Sequence, residues 1–235
     1  MLKPSAVLFD YGNTLARSKI CDIAKGIERI LEVTYNPDNI GIDTIFAKAE
    51  ELEKETLVVN QTCSMELYLV NTYRYIFEYY GMKFNIDDKQ IERLFREAIF
   101  QYRPTEGIIE ILNYLQKNII KIGVLSNMEF SSETLSREIA QKFPNIKFEF
   151  IIASADYNFR KPSPRIFALA KRKLGNNVEN IWYAGDKIID DVKGATQADM
   201  TPVWYNPDNI RCDCDLNCIQ INNWLQLIDI IKKGG

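Results

Sequence analysis

The chain has 235 residues, 46% hydrophobic and 26% charged, with a net charge of −3; that is room for one large domain or two modest ones, and no basic field that would draw nucleic acid. It contains no histidine, which removes Ser-His-Asp triads, Cys-His pairs and histidine metal sites and leaves metal binding to thiolate or oxygen ligands, the latter suited to Mg²⁺. The opening MLKPSAVLFD is too short an apolar run for a signal peptide, and no stretch nears the ~18 apolar residues of a membrane helix, so a cytoplasmic protein with reduced cysteines and no membrane partner is expected.

Residues 5–10 (SAVLFD) read as a buried strand that ends in Asp10 and opens into Tyr11, Gly12, Asn13 and Thr14. Residues 16–102 hold no convincing strand; amphipathic stretches at 18–33, 42–57, 64–80 and 88–101 predict a four-helix insertion. After it, helical patterns at 106–117, 163–173, 187–197 and 222–233 alternate with strand-like runs at 120–126, 147–152, 180–185 and 201–205. Ser163-Pro164 supplies an N-cap followed by proline at the first helical position, and CIQI (218–221) is a candidate short last strand. The turn sequence YNPDNI occurs at 35–40 and 205–210, in different contexts, and reads as reuse of good turn residues. This alternation predicts an α/β fold: a Rossmann-like parallel five-stranded sheet flanked by helices on both faces, formed by 1–15 and 103–235, plus an all-helical domain at 16–102.

In an open α/β sheet the ligand sits beyond the carboxyl ends of the strands. The polar residues there are Asp10, the pair Ser126 and Asn127, and Asp186 with Asp190 and Asp191 close behind; Lys161 lies in the loop after the third strand. Taken singly, these have ordinary readings: a turn aspartate, a helix N-cap, a loop lysine, an acidic first helical turn. The informative feature is that four such groups occur in order, each at or just beyond a strand's carboxyl end.

The segments FDYGNT (9–14), VLSN (124–127), RKPSPRIF (160–167) and YAGDKIIDDVKGA (183–195) resemble the motifs of the haloacid dehalogenase superfamily. The resemblance spans almost the whole chain, and the helical insertion resembles that family's cap domain placed after the first motif. It implies a Mg²⁺-dependent phosphatase acting on a small phosphorylated substrate, a monomer or homodimer, with Asp10 as the nucleophile that forms an aspartyl phosphate. It also implies that Asp10, the Gly12 carbonyl, Asp186 and Asp191 serve the metal site, with Asp190 an open competitor for Asp191. Ser126 and the Asn127 backbone would hold phosphate oxygens, Lys161 would pair with the nucleophile and a phosphoryl oxygen, and Thr14 would steady the loop. Arg17 and Lys19 read equally as contacts for a phosphate-bearing substrate or as a solvated helix start.

One position departs from the family pattern. Phosphatases of this superfamily carry a second aspartate two residues after the nucleophile, which protonates the leaving alcohol and then activates water; here that position is Gly12. Glycine keeps the carbonyl but lacks the acid–base side chain, an effect worth roughly 10²–10⁴-fold in rate. Three readings stand: a phosphatase in which another group or an easy leaving group compensates, a 2-haloacid dehalogenase (halide leaves without a proton), and a non-catalytic module that binds phosphate or protein. The acidic segment 186–191 argues against the dehalogenase. Cys212, Cys214 and Cys218 lack the paired spacing of a thiolate metal site, and the tyrosines and phenylalanines of 68–80 read as packing within the insertion.

Overall fold

Strand β1 (Ala6–Phe9) is followed by β2 (Ala16–Cys21), α1 (Ile23–Leu31), β3 (Thr34–Tyr35), α2 (Ile42–Cys63), α3 (Leu69–Tyr79), β4 (Lys83–Phe84), α4 (Asp88–Ile99) and β5 (Phe100–Pro104). Helices and strands then alternate through α5 (Ile108–Lys117), β6 (Lys121–Ser126), α6 (Ser132–Lys142), β7 (Phe150–Ala153), α7 (Pro164–Leu174) and β8 (Ile181–Gly185). A π-helical segment, Ile188–Lys193, runs into α8 (Gly194–Gln197), and β9 (Thr201–Tyr205), β10 (Ile219–Ile221) and α9 (Trp224–Lys233) close the chain. The structure, a computed structural model, describes residues 2–212 and 217–234, leaving aside the side chains of 59–61.

The main sheet has the order β10-β9-β8-β1-β6-β7, and every pair in it is parallel. Both faces are covered, as a parallel sheet requires, and β1 shows how its sequence allows this. Val7 and Phe9 point into a core with α5, α6 and α9, while Ala6 and Leu8 point into another with α7 and α8. The chain moves outward from β1 to β6 and β7, then returns to the other side of β1 with β8. Strand order therefore reverses beside β1, and the crevice at its carboxyl end is where such folds bind ligands.

Two expectations are corrected. The sheet has six strands rather than five, because the three residues Ile219–Ile221 pair with the open edge of β9. Residues 16–102 are not all helical. The first six form β2, which pairs antiparallel with β5 at the far end of the insertion, so the helix expected at 18–33 begins only at Ile23. The partner strand lies some 80 residues away, and local periodicity cannot report such a pairing. A second ribbon, β3 with β4, lies inside the insertion. Helix α6 was not resolved as an element by the sequence: its buried aliphatics are only Leu135 and Ile139, too thin a stripe to show a helical period.

Helices α1 to α4 surround their own apolar core, including Ile27, Ile30, Val70, Phe77 and Phe95. The α2–α3 connection is stitched to the sheet unit by backbone bonds, Arg160 N to Ser64 O at 3.0 Å, Glu66 N to Asn158 O at 3.0 Å and Leu69 N to Glu129 O at 2.9 Å. Cys21, Cys63 and Cys218 are free, whereas Cys212 is disulfide-bonded, so full reduction is not what the structure has. Asp213, Cys214 and Asp215 of the cysteine-rich segment lie outside the described residues. Among the described residues, no helix is long and apolar enough to cross a membrane.

Candidate active site

Strands β8, β1 and β6 each deliver one group to the crevice where the apolar run ends, and the loop after the edge strand β7 delivers a fourth. Asp10 follows β1, Ser126 closes β6, Asp186 follows β8, and Lys161 comes from the loop between β7 and α7. Lys161 is the hub and is 2% exposed. Its Nζ donates to Asp10 Oδ1 at 2.7 Å, Asp191 Oδ1 at 2.6 Å and the Tyr183 hydroxyl at 2.7 Å, which uses all three ammonium protons. Tyr183 in turn donates to Leu125 O at 2.7 Å. Burial alone would lower the Lys161 pKa, but Asp10 and Asp191 outweigh it and hold the group well above its ordinary value. Lys161 is therefore a fixed cation.

Ser126 Oγ donates to the same Asp10 oxygen, Oδ1, at 3.1 Å. Among the described residues both side-chain bonds to Asp10 thus fall on Oδ1 and none on Oδ2. Burial raises the Asp10 pKa and Lys161 pulls it back. Asn127 clamps the lysine backbone from both sides, donating through Nδ2 to Lys161 O at 2.9 Å and accepting at Oδ1 from Lys161 N at 2.7 Å.

The acidic segment separates into three roles. Asp191 is 1% exposed and both its oxygens are engaged, Oδ1 by Lys161 and Oδ2 by the backbone N–H of Lys187 at 2.8 Å. Gly185 makes this possible, since a Cβ there would fall 2.3 Å from Asp191 Cγ. Asp190 instead sits at the cleft mouth, 3.9 Å from Lys187 Nζ. Asp186 has one oxygen, Oδ1, that is buried without a hydrogen-bond partner, while Oδ2 accepts from Asn13 Nδ2 at 3.4 Å. Burial, then Asp10 and Asp191, push its pKa up to about 7. Asp10, Asp186 and Asp191 each present an oxygen within 4.8 Å of the others, a set of hard donors of the kind Mg²⁺ takes.

Asp10, Ser126, Asn127, Lys161 and Asp190 line a cleft of about 350 Å³ whose opposite wall comes from the insertion and from the β2–β5 ribbon that forms its stalk, through Glu66, Arg96, Phe100 and Tyr102. Arg96, on α4, forms a 3.1 Å ion pair with Glu138 on α6 and lies over the rings of Phe100, Tyr102 and Phe130. Glu66 accepts from Ser154 Oγ at 2.7 Å and faces Arg160 at 3.5 Å.

Of the residues singled out in the sequence, Asp10, Gly12, Ser126, Asn127 and Lys161 line this cleft, with Asp186 and Asp191 beside Asp10. Three are not brought to it; Lys19, like Arg17, lines a separate cavity with Arg103 and Tyr205. Thr14 is fully buried; its carbonyl accepts from Thr105 Oγ1 at 2.7 Å and so ties the loop to the end of the stalk. Arg17 points outward from β2 because Ala16, its neighbour in the strand, takes the inward position; it pairs with Asp208 at 3.1 Å on the surface. Tyr183, Arg96, Tyr102 and Glu66 were missed. Tyr183 carried a signal, since a tyrosine inside a buried strand needs a hydroxyl partner. The other three carried none.

The sequence matches the family model of haloacid dehalogenase-like hydrolases over residues 4–199. The chain belongs to that family. Among curated relatives, a glyceraldehyde 3-phosphate phosphatase of Methanopyrus kandleri is 29% identical over 147 residues, covering 59% of this chain and 61% of the relative. An (S)-2-haloacid dehalogenase of Pseudomonas fluorescens is 24% identical over 149 residues, covering 60% and 64%. The aligned region thus spans less than two thirds of either relative. In three dimensions, a 2-haloacid dehalogenase from Pseudomonas syringae pv. Tomato DC3000 superimposes with a TM-score of 0.63 at 22% identity, covering 100% of both chains, a likeness of fold.

Proposed function

We propose that this protein is a Mg²⁺-dependent phosphatase for a small phosphorylated metabolite, working through a phosphoryl ester on Asp10. The observation that carries this reading is the buried, unpartnered Oδ1 of Asp186 in a group of three carboxylates beside a fixed ammonium. A buried acid with an idle oxygen next to two more acids is costly unless a cation is shared among them. Asp10 Oδ2, Asp186 Oδ1 and the Gly12 carbonyl would hold Mg²⁺, which supplies charge screening between two anions when bound.

Asp10 Oδ2 is the attacking oxygen, since Oδ1 is held by Lys161 and Ser126. Lys161 balances the buried negative charge through the reaction, and Asp191, Tyr183 and Asn127 fix its position. Residues 16–102 act as a cap over a core of 1–15 and 103–235, excluding water from the cleft, whose volume suits a small substrate. The likeness to a glyceraldehyde 3-phosphate phosphatase supports a phosphate ester. The absent acid at Gly12 keeps a halide leaving group as the competing reading, which offers no use for Asp186.

With Mg²⁺ the purified protein is expected to release inorganic phosphate from phosphorylated metabolites and aryl phosphates, and Asp10→Asn to abolish release. Metal-independent halide release from a 2-haloacid, with no phosphate release, would replace this reading by the dehalogenase one.

A further inference from the structure

Given the phosphatase function proposed above, we infer that Tyr102 is a catalytic proton donor, its hydroxyl occupying the space that the acid missing at Gly12 would reach. A Cβ built on Gly12 meets one heavy atom within 4 Å beyond its chain neighbours, among the described residues, and that atom is the Tyr102 hydroxyl oxygen at 4.0 Å. A carboxylate on that Cβ, in the rotamer directed at the phenol, would reach the position of its hydroxyl. Both residues line the same cleft as Asp10. The ring is held in place: it tilts against Tyr11 at 5.2 Å and Phe100 at 5.1 Å, the Arg96 guanidinium lies 4.8 Å from its centroid, and its backbone pairs with Ser18 in the stalk.

The surrounding charges suit the role. Burial raises the Tyr102 pKa above its ordinary value, and Arg96 opposes that rise. The group therefore stays protonated at neutral pH, and a cation stands ready for the phenolate. Of the other acids of the cleft, Glu66 is already bound to Ser154 and faces Arg160, and Asp190 sits by Lys187; Glu129, which burial and then Glu66 and Glu53 push up to about 7, also lines the cleft, but it is not among the atoms within 4 Å of a Cβ on Gly12.

In the first step Asp10 Oδ2 bonds to phosphorus, the P–O bond to the alcohol breaks, and the Tyr102 proton passes to the departing oxygen. This leaves an aspartyl phosphate, a neutral alcohol and a phenolate beside Arg96. In the second step water bonds to phosphorus, its proton returns to the phenolate, and the bond from phosphorus to Asp10 breaks to give inorganic phosphate. Charge and protons balance across both steps.

The test compares kcat/KM across a series from aryl to alkyl phosphates, because this parameter stops at the first irreversible step. Tyr102→Phe is expected to lower it roughly 10²-fold for alkyl esters, the lower end for loss of an acid catalyst, and at least about tenfold less for aryl esters, whose leaving groups need little protonation. Adding Gly12→Asp in the Tyr102→Phe background should restore alkyl turnover. An equal loss across the series would make Tyr102 structural and overturn the inference, as would an unchanged alkyl rate in Tyr102→Phe or no recovery on adding the aspartate. Absence of any Asp10-dependent phosphate release from the native protein would instead fail the phosphatase reading itself.

Discussion

The two walls of the cleft are built differently. The wall formed by the sheet is an interlocked set in which Asp10, Ser126, Lys161, Tyr183 and Asp191 bond to one another and are all buried. Asp10 and Ser126 stand at strand ends and Tyr183 within a strand, while Lys161 and Asp191 reach them from the segments that follow β7 and β8. The wall formed by the insertion has Glu66, Arg96 and Tyr102, drawn from a helix–helix connection, a helix and the stalk. Two of these are held by a partner on the other unit: Arg96 by Glu138, and Glu66 by Ser154 and Arg160. One wall is tied together within the sheet unit by buried hydrogen bonds and ion pairs, and the other is placed by contacts that cross between the two units. That division suits a hydrolase that must hold its nucleophile still yet admit and release substrate.

The strongest way to break the comparison is at the hub. Lys161→Ala leaves Asp10 and Asp191 buried without their cation, and loss of one partner from a buried ion pair costs about 3–5 kcal/mol. Urea unfolding of the variant should show a loss of that size together with loss of turnover; a near-wild-type midpoint would mean the sheet wall is not interlocked.

Arg96→Ala probes the other wall. It removes the ion pair to Glu138 and the packing on three rings, and should cost about 1–3 kcal/mol, the penalty for leaving a buried polar group unsatisfied. If this wall meets substrate and Arg96 faces the Tyr102 phenolate, as proposed, KM should rise and kcat should fall. The pair also has a pH signature. Burial alone would raise the Glu138 pKa, but Arg96, the Tyr11 hydroxyl and Lys142 hold it below its ordinary 4.5. The folded state thus binds this proton less readily than the unfolded chain, so the stabilisation is present above pH 4.5 and lost as pH falls through and below it. Thermal melts on acidification should show that loss in the native protein and much less of it in Arg96→Ala; parallel curves would place the acid sensitivity elsewhere.

The smallest effect is expected at Arg17. Its pair with Asp208 is about half exposed on both sides, and such pairs contribute about 0–1 kcal/mol. Arg17→Ala should leave kcat/KM and stability close to native, and a large rise in KM would return this residue to the substrate site.

The sheet wall was legible because its information is local. An apolar run that stops at a polar residue marks both a strand and the place where that strand delivers a side chain, so Asp10, Ser126, Lys161 and the acidic group at 186–191 could be read in order. The choice between Asp190 and Asp191 was not local. It depends on the π-helical segment that turns one inward against Gly185 and leaves the other at the cleft mouth.

The insertion wall was illegible for the same reason reversed. The stalk pairs β2 with β5 across some 80 residues, and β2 has no alternating pattern of its own. Tyr102 is thereby carried to within 4.0 Å of a Cβ on Gly12, and nothing near either residue announces the other. By itself the sequence determined the α/β architecture, the family and the groups of the sheet wall, since hydrophobic patterning and strand-end chemistry act over a few residues. Only the tertiary structure decided the pairing of the candidate strand at 218–221, the β2–β5 ribbon, the partner of each acid and which side chain stands nearest a Cβ on Gly12, because those depend on which distant surfaces pack together.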